Sequence, residues 1–366
     1  MDRSPLQSWT RRQQNPRSAL SQLPLREETK ITRVAPSRPA QVPSRTNDVT
    51  TDVTTDALIV GRDSDVFGEQ LTPILPKLRF HCAHKSAEAL ALAPPCEILV
   101  IRTDEIFAGL IAAMPRLRLI QALTTGVDHI MALPNLPPQV MITAARGFHG
   151  PQMSELAFLF MLVFARQFPT VLENQKNKIW DRREQRLLVG KTVVVVGVGR
   201  IAEELAQRCK LFGMTVIGVS TRDTAPGFDV MYPRAQIAKA ASLADFLILL
   251  APYTKENHHL VDATTIDAMK PDGVLINIAR GGVLDEEALR RALLEGRIAG
   301  AGLDVFQTEP LPPESPLWDT PNVIITSHVG GVSESYVEQV MPLLIDNLRA
   351  FVDGTPEKMS YIVKSA

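Results

Sequence analysis

The chain has 366 residues, of which 45% are hydrophobic and 22% are charged, as is normal for a soluble globular protein with room for two domains of roughly 100–200 residues. Its 39 Lys and Arg against 40 Asp and Glu leave a formal net charge of -1, which argues against a chain dominated by a basic nucleic-acid surface. The three cysteines form no CxxC pair, which argues against a disulfide scaffold or a Cys-rich zinc site and favours a reducing, cytoplasmic compartment.

Residues 1–55 differ in composition from the rest of the chain. They are rich in Ser, Thr, Pro, Gln and Arg, and they hold too few large apolar side chains to offset the entropy of ordering. We therefore expect a disordered tail, with an Arg-rich organellar targeting segment as the alternative. No segment near Met1 has the apolar stretch of a secretory signal.

An α/β region of about a hundred residues follows this tail. Short apolar runs predict strands at Asp56–Val60, Glu97–Ile101 and Leu119–Ala122, with helical stretches between them. The last of these strands leads into a glycine turn at Thr125-Gly126. An amphipathic run then predicts a long helix over Ser154–Phe168, which leads into a second unit.

The longest strongly apolar run lies inside this predicted helix. Leu156–Ala165 has ten residues, whereas a membrane-spanning helix needs about 20. The run therefore predicts a buried helix, and we expect no membrane partner.

Strands and helices alternate from residue 191 onward. The β-branched run Thr192–Val196 suits a parallel strand that is buried on both faces. Asp285 is placed to cap a helix that runs to about Glu295 and is closed by Gly296. The alternation predicts a Rossmann-type, doubly wound parallel sheet. Its further strands are predicted at Thr215–Val219, Phe246–Leu250, Val274–Ile278, Ala299–Leu303 and Val323–Ile325.

The first strand of this sheet runs into the sequence GVGRIA, which opens a helix. Gly197 permits the tight turn, Gly199 lets the backbone approach a pyrophosphate, and Ala202 is small enough for close packing of the helix on the strand. The helix N-terminus attracts the phosphate charge. A GxGxxA motif in this context predicts a dinucleotide site.

The tip of the second strand indicates which dinucleotide is bound. An NAD site usually has an acid there that holds the 2′-hydroxyl, but this chain has Ser220, Thr221 and Arg222. Two hydroxyls and a guanidinium would receive a 2′-phosphate, so NADP(H) is favoured. NAD(H) stays open, because Asp223 follows directly and Arg222 is also consistent with a solvated surface charge.

Three polar residues follow later strands, on the side where doubly wound sheets bind ligands. Hydride transfer to a ketone builds negative charge on its oxygen, and an acid such as His328 can supply the matching proton. A carboxylate such as Glu309 can hold the tautomer of that imidazole and favour its charged form. Arg280 can grip a substrate carboxylate and polarise the carbonyl.

Five segments make the chain from residue 119 to about 353 resemble the D-isomer-specific 2-hydroxyacid dehydrogenase family. The likeness is looser from 56 to 119 and absent from 1 to 55. The segments are VVVVGVGRIAEEL, LILLAPYTKENHHLVD, MKPDGVLINIARGGVLDEEAL, GAGLDVFQTEPLP and NVIITSHVGG.

The resemblance implies a role for each matching position. His328 would be the acid/base, Glu309 its partner and Arg280 the substrate clamp. The other substrate-binding residues would be Arg102, Thr125, Gly126 and Val127. The cofactor-binding residues would be Gly197, Gly199, Arg200, Ile201, Ser220, Thr221, Arg222, Ala251, Pro252, Asn257, Ile278, Ala279, Arg280, Asp304, His328 and Gly330, with Ala251-Pro252 flanking the adenine and Asp304 meeting the nicotinamide carboxamide.

Two histidine-containing segments are not assigned to the site. His81-Cys82-Ala83-His84 looks like a metal cluster, but no second ligand group follows at finger spacing, so we expect a surface loop or strand edge and no metal. His258-His259 is read as part of a loop.

The resemblance implies two α/β domains, with a Rossmann-type domain inserted into a smaller flavodoxin-like one. We predict a discontinuous catalytic domain at 56–152 plus 334–366 and a dinucleotide-binding domain at 153–333. The family acts as homodimers, with the helix Ser154–Phe168 in the interface.

The expected function is NAD(P)H-dependent reduction of a small 2-oxo acid, of the glyoxylate or hydroxypyruvate type, to the D-2-hydroxy acid. Glu309 argues against formate oxidation, because formate dehydrogenases of this superfamily have Gln there. The alternatives are NAD-dependent oxidation of a D-2-hydroxy acid or phosphohydroxy acid, and a nucleotide-sensing corepressor-like role.

Overall fold

The computed structural model describes residues 55–365, which form two largely parallel sheets flanked by helices. The predicted tail at 1–55 lies outside the described residues except for Thr55, which begins the first strand. The strands are β1 (Thr55–Val60), β2 (Leu78–Ala83), β3 (Ile98–Ile101), β4 (Leu119–Ala122), β5 (Met141–Thr143), β6 (Thr192–Val196), β7 (Thr215–Val219), β8 (Val230–Tyr232), β9 (Phe246–Leu249), β10 (Val274–Asn277), β11 (Gly300–Leu303), β12 (Val323–Ile325) and β13 (Ile362–Lys364).

The helices of the described residues connect these strands. They are α1 (Ser64–Leu71), α2 (Ser86–Leu92), α3 (Ala108–Ala112), α4 (Asp128–Met131), α5 (Gly150–Ala165), α6 (Phe168–Lys176), α7 (Arg200–Leu211), α8 (Ile237–Ala241), α9 (Ala263–Asp267), α10 (Glu286–Leu294) and α11 (Tyr336–Val352). Short 3₁₀ turns lie at Arg234–Gln236, Lys255–Asn257, Gly281–Val283, Pro316–Asp319 and Pro356–Lys358.

The first sheet has six strands in the order β13-β5-β4-β3-β1-β2. Neighbouring strands are parallel except at the edge, where β13 runs antiparallel to β5. Every residue of β3 and β4 is buried. A strand that is covered on both faces can be apolar throughout, which explains why these segments carry no alternation of polar and apolar residues.

The second sheet has seven parallel strands in the order β12-β11-β10-β9-β6-β7-β8. The order reverses between β6 and β9, and such a reversal opens a crevice at the carboxyl ends of the strands. The predicted Rossmann-type α/β fold is confirmed by this arrangement. The boundaries given above for the two domains stay predictions.

Several sequence signals correspond to local structure as expected. Four predicted strands, β4, β6, β7 and β12, have the predicted bounds. The Asp285 side chain accepts a hydrogen bond from the Ala288 amide at 2.9 Å and so caps α10. Gly296, just beyond that helix, has a φ of +68°, which is the left-handed conformation expected at this position.

The long helix predicted at Ser154–Phe168 was wrong at both ends. Helix α5 begins at Gly150 with Pro151 in its first turn, where proline is well tolerated, and it ends at Ala165. Gln167 then adopts a φ of +48°, and α6 leaves at an angle of 62°. No single helix within residues 55–365 is long and apolar enough to cross a bilayer, although the bent pair α5 and α6 would be if length and composition were counted together.

Four short or marginal strands were not predicted: β2, β5, β8 and β13. Three of them have only three residues, too few to establish a period. His81 and Cys82 lie in β2, which is the edge strand of the first sheet. A strand edge was one of the two locations predicted for this segment. The His81 ring pairs with Asp56 across that edge at 2.8 Å.

Helix α11 is fixed to the first sheet by a buried polar network. The Asn347 amide donates to Gln121 Oε1 at 2.8 Å, and its oxygen accepts from the Ser360 amide at 2.7 Å. Thr143 also donates to Gln121. Buried polar groups need such partners, and these bonds hold α11 so that its first residue, Tyr336, lies at the carboxyl end of β4, where the Tyr336 hydroxyl donates to the Leu123 carbonyl.

Candidate functional site

The fingerprint turn lies at the reversal of strand order in the second sheet. Gly197 has a φ of +96°, and a Cβ there would overlap the backbone of Ala251, which follows β9. Gly199 precedes α7 and has nothing within 4 Å of the position that a Cβ would take. Ala202 is fully buried against the strands. A tight turn, an open backbone and an exposed helix N-terminus together fit the pyrophosphate of a dinucleotide.

Two further predicted cofactor residues, Arg200 and Ile201, form the first turn of α7. Arg200 Nη1 donates to the Tyr361 hydroxyl at 2.7 Å, so this guanidinium is held by the segment that precedes β13. On the other side of the turn, the Asn257 side chain donates to the Pro252 carbonyl at 2.9 Å. That bond shapes the loop after β9, beside the fingerprint.

The tip of β7 forms one wall of a pocket. Ser220, Thr221, Arg222 and Asp223 line it together with Met231, Tyr232, Pro233 and Arg234. Arg222 does not point freely into this pocket, because its Nη1 donates to Glu203 on α7 at 2.7 Å. The second arginine, Arg234, was missed by the sequence analysis because it lies twelve positions further on, with no motif to mark it.

The end of β10 presents Ile278, Ala279 and Arg280 to the crevice. Buried Asn277 shapes this segment: its oxygen accepts from the Ala279 amide and its amide donates to the Arg280 carbonyl, both at 3.1 Å. Arg280 is thereby directed towards the first sheet. A Cβ on Gly126 would overlap the Arg280 guanidinium, so a larger residue there would displace the end of the Arg280 side chain.

Asp128 orients the Arg280 guanidinium. Arg280 Nε donates to Asp128 Oδ2 at 2.9 Å, with 32% and 36% of the two side chains exposed. The sequence analysis did not single out Asp128, which lies 152 positions from its partner. Arg280 Nη1 also donates to the Ala279 carbonyl at 2.7 Å, so Nη2 is the part of the guanidinium with donors left for a substrate carboxylate.

Glu309 and His328 form a hydrogen-bonded pair. Glu309 Oε2 lies 2.7 Å from His328 Nδ1, and Glu309 Oε1 accepts from the Phe306 amide at 2.8 Å. Burial, the largest single influence, would raise the pKa of Glu309, but the bonds from His328 and Phe306 and the charges of His328 and Arg280 together hold it below its ordinary value. Glu309 is therefore ionised at neutral pH and able to stabilise a charged imidazole.

Asp304 shapes the turn that carries His328. Its carboxylate is 1% exposed and accepts from the Thr326 hydroxyl, from the Val329 amide at 2.9 Å and from the Gly330 amide at 3.0 Å. His328 has a φ of +52°, and its own amide donates to the Asp304 carbonyl at 2.8 Å. The predicted contact of Asp304 with a nicotinamide stays a prediction, since these bonds show Asp304 holding the turn.

The predicted substrate turn lies against Arg280. Thr124 Oγ1 donates to the Gly126 carbonyl at 2.8 Å, which closes the turn, and Val127 is buried beneath it. Thr125 Oγ1 contacts His149 Nδ1 at 2.9 Å. His149 is 7% exposed and was left unassigned by the sequence analysis.

Arg102 lies on the same side of the crevice. It lines a pocket with Leu123 and Tyr336 at the carboxyl ends of the first sheet's strands. Its Nε donates to Asp104 Oδ1 at 3.2 Å.

The structure thus brings Arg280 onto the predicted substrate turn and pairs His328 with Glu309, while Ser220–Arg222 lie at the tip of β7, beyond the fingerprint turn. Among residues 55–365, no group of three or more His, Cys, Asp or Glu side chains is arranged to hold a metal.

Comparison with known proteins gives a consistent set of relatives. A family profile described as D-isomer specific 2-hydroxyacid dehydrogenase, NAD binding domain, matches residues 158–330. A glyoxylate reductase from Korarchaeum cryptofilum is 31% identical over 269 residues, which cover 71% of this chain and 80% of the relative.

Two solved structures are also similar to this chain. A D-isomer specific 2-hydroxyacid dehydrogenase family protein from Aeromonas salmonicida has 33% identity and a TM-score of 0.79, covering 85% of this chain and 99% of its own. An NADPH-dependent glyoxylate/hydroxypyruvate reductase from Sinorhizobium meliloti, in complex with NADP and sulfate, has 25% identity and a TM-score of 0.71, covering 84% and 98%.

Burial of His149 predicts a pH-dependent stability. Burial and the charge of Arg102 lower the pKa of His149 from 6.5 to about 4, so the folded protein keeps it neutral. As the pH falls from 6.5 towards 4, the unfolded chain binds a proton that the folded protein does not, and stability falls by about 3 kcal/mol. Urea unfolding of wild type and His149→Asn across this range measures the difference, and parallel pH profiles would contradict the prediction.

Proposed function

Because the chain belongs to the D-isomer-specific 2-hydroxyacid dehydrogenase family, we propose that it reduces glyoxylate to glycolate or hydroxypyruvate to D-glycerate with NADPH. The chain is an NAD(P)-dependent dehydrogenase or reductase that acts on the CH–OH group, and its family acts on small 2-oxo and 2-hydroxy acids. Beyond these family properties, we propose the specific substrate, the role of His328 and the preference for NADPH.

The observation that carries the proposed chemistry is the 2.7 Å bond between His328 Nδ1 and Glu309. The nicotinamide, when bound, supplies the hydride. With Nδ1 engaged by the carboxylate, Nε2 is the ring nitrogen left to deliver a proton to the developing oxyanion. The ionised Glu309 bonds the ring at Nδ1 and holds it in one orientation throughout.

Substrate orientation is assigned to the turn at Thr125–Val127 and to Arg280. Backbone amides of the turn receive the carboxylate, and the Arg280 guanidinium, fixed by Asp128, reaches both the carboxylate and the carbonyl. When these groups hold the 2-oxo acid, its carbonyl is positioned to receive both the hydride and the proton. Positioning of this kind lowers the activation barrier of the reaction.

The charges around the substrate pocket favour a substrate without a phosphate. Arg102 pairs with Asp104 at 3.2 Å, and Arg62, which lines the same pocket, pairs with Asp63 at 3.4 Å. Each arginine is thus offset by a neighbouring carboxylate, so little net positive charge remains for a second anionic group. This supports glyoxylate or hydroxypyruvate over a phosphohydroxy acid.

The preference for NADPH rests on the pocket at the tip of β7. β7 carries no carboxylate, and Arg222 and Arg234 line the pocket that follows it together with one acid, Asp223. Arg222 is less available to a 2′-phosphate, because its guanidinium already pairs with Glu203. Arg234, whose guanidinium donates to the Glu256 carbonyl, is therefore expected to contribute at least as much to recognition of the phosphate.

The proposed assembly is a homodimer through α5, α6 and the segment that follows. Large apolar side chains are exposed there: Leu159 at 52%, Leu172 at 51% and Trp180 at 92%. Clustered exposed apolar side chains usually mark an interface, and the predicted helix of this interface falls in the same place.

His328→Gln is expected to lower kcat by about 10²–10⁴, because the proton donor is lost while the bonds around Asp304 that hold the turn are kept. Glu309→Gln should lower kcat less and move the pH–rate profile, since the neutral amide no longer favours the charged imidazole. Initial rates with glyoxylate and hydroxypyruvate measure both. His84→Gln, which changes a surface histidine, is the control, and wild-type rates in His328→Gln would overturn the assignment.

Arg234→Ala is expected to raise the KM for NADPH by roughly ten- to a hundred-fold and to leave the KM for NADH unchanged, because a charged hydrogen bond to the 2′-phosphate is lost. Ser220→Asp should reverse the preference towards NADH by adding an acid at the strand tip. Parallel kinetics with the two cofactors decide it, with Arg297→Ala as an arginine control at another face. Wild-type preference for NADH would contradict the cofactor assignment.

Leu172→Glu and Trp180→Lys are each expected to shift the protein from dimer to monomer, because both place a charge in the exposed apolar cluster. Sedimentation equilibrium gives the mass directly. Leu90→Lys, at a 40% exposed leucine on α2, should leave the mass unchanged. A monomeric wild-type protein would contradict the proposed assembly.

A further inference from the structure

His149 lies between the two turns to which the proposed function assigns the chemistry. On one side its Nδ1 is 2.9 Å from the hydroxyl of Thr125, in the substrate turn. On the other side a Cβ on Gly331, three residues after His328, would be in van der Waals contact with the His149 ring at 3.4 Å. The ring stacks on Phe148, with the centroids 4.4 Å apart, and is 7% exposed. These contacts fix the position and the orientation of the imidazole ring.

The Thr125 hydroxyl has two neighbours that bear on the tautomer of His149. Its Oγ1 lies 3.1 Å from the Ala145 carbonyl, which can only accept, and 2.9 Å from His149 Nδ1. When the hydroxyl donates its one proton to Ala145, its oxygen accepts from His149, which then carries its proton on Nδ1. The Thr125 carbonyl in turn accepts from Arg146 Nε at 3.3 Å. Thr125 is thus held at its side chain by Ala145 and His149 and at its backbone by Arg146.

His149 stays neutral while it does this. Burial and the positive charge of Arg102 both disfavour the imidazolium, and they lower the pKa of His149 to about 4. A neutral ring donates from Nδ1 without placing a second charge beside Arg102 and Arg280. The substrate carboxylate is then left to the two arginines and the backbone amides of the turn.

We propose that His149 is a positioning residue for the substrate: its Nδ1–H fixes the Thr125 hydroxyl, and so the turn at 125–127, at a set distance from the segment that carries His328. This inference rests on the proposed function for the identity of the turn. The fingerprint turn and the tip of β7 do not depend on the bond between His149 and Thr125. Loss of this bond should therefore weaken binding of the 2-oxo acid and leave binding of the dinucleotide unchanged.

The expected effect is a rise in KM without an equal loss of kcat. One net intramolecular hydrogen bond corresponds to roughly a ten-fold change in an equilibrium. His149→Phe keeps the stacking on Phe148 but removes the donor, so the KM for hydroxypyruvate should rise roughly ten-fold with the KM for NADPH unchanged. His149→Asn, which carries an amide N–H close to the position of Nδ1, should recover most of the loss.

Thr125→Val gives the matched change on the other partner. It should raise the KM for the 2-oxo acid at least as much, because it also removes the bond to the Ala145 carbonyl, and the double variant Thr125→Val with His149→Phe should be no worse than Thr125→Val alone. Additive effects, an unchanged KM, or no recovery in His149→Asn would overturn the proposal. Thermal unfolding of each variant shows whether it is folded.

Two readouts separate this proposal from the proposed function. The ¹⁵N shifts of the His149 ring report its tautomer without any substrate, and a proton on Nε2 in place of Nδ1 would overturn the positioning role whatever the activity. Calorimetric binding of oxamate, an unreactive 2-oxo acid analogue, to the NADPH complex measures the turn directly. Oxamate binding that weakens in His149→Phe, with no turnover in the wild type, would sink the proposed reduction alone. Absence of both binding and turnover in the wild type would overturn both.

Discussion

The buried carboxylate of Asp304 is the group on which the arrangement of the site depends. Burying a charge is costly unless it is well bonded, and here one hydroxyl and two backbone amides offset that cost. The same bonds hold the backbone of His328 in the left-handed region, which few non-glycine residues adopt. With the turn fixed, the His328 ring reaches Glu309 at 2.7 Å. Asp304 thus sets the geometry of the pair of His328 and Glu309, and Glu309 supplies its negative charge.

The two chain crossings between the sheets meet beside this site. His149 precedes α5, where the chain leaves the first sheet, and Tyr336 begins α11, where it returns. The rings of His149 and Tyr336 lie 6.1 Å apart, and Phe148 contacts both. Of these three residues, His149 also contacts Thr125 in the turn at 125–127.

Much of this organisation is encoded locally and was predicted from the sequence. β-branched runs identified β6 and β7, and a capping aspartate and a closing glycine identified the ends of α10. Arg280, Glu309 and His328 were predicted as the catalytic residues because each follows a strand of the second sheet, and the structure pairs His328 with Glu309. Asp128 and Arg234 were missed because their roles arise from contacts between distant segments, which spacing does not encode. The bend at Gln167 escaped as well, since no glycine or proline precedes it.

Hydride reduction with D stereochemistry is the central claim, and product analysis tests it most directly. Hydroxypyruvate and NADPH should be consumed in equal amounts, and the product should be the D-hydroxy acid alone. That outcome requires the nicotinamide and His328 to act on the carbonyl in the orientation set by Arg280. Formation of the L-hydroxy acid, or tight binding of NADPH with no consumption of any small 2-oxo acid, would contradict the account.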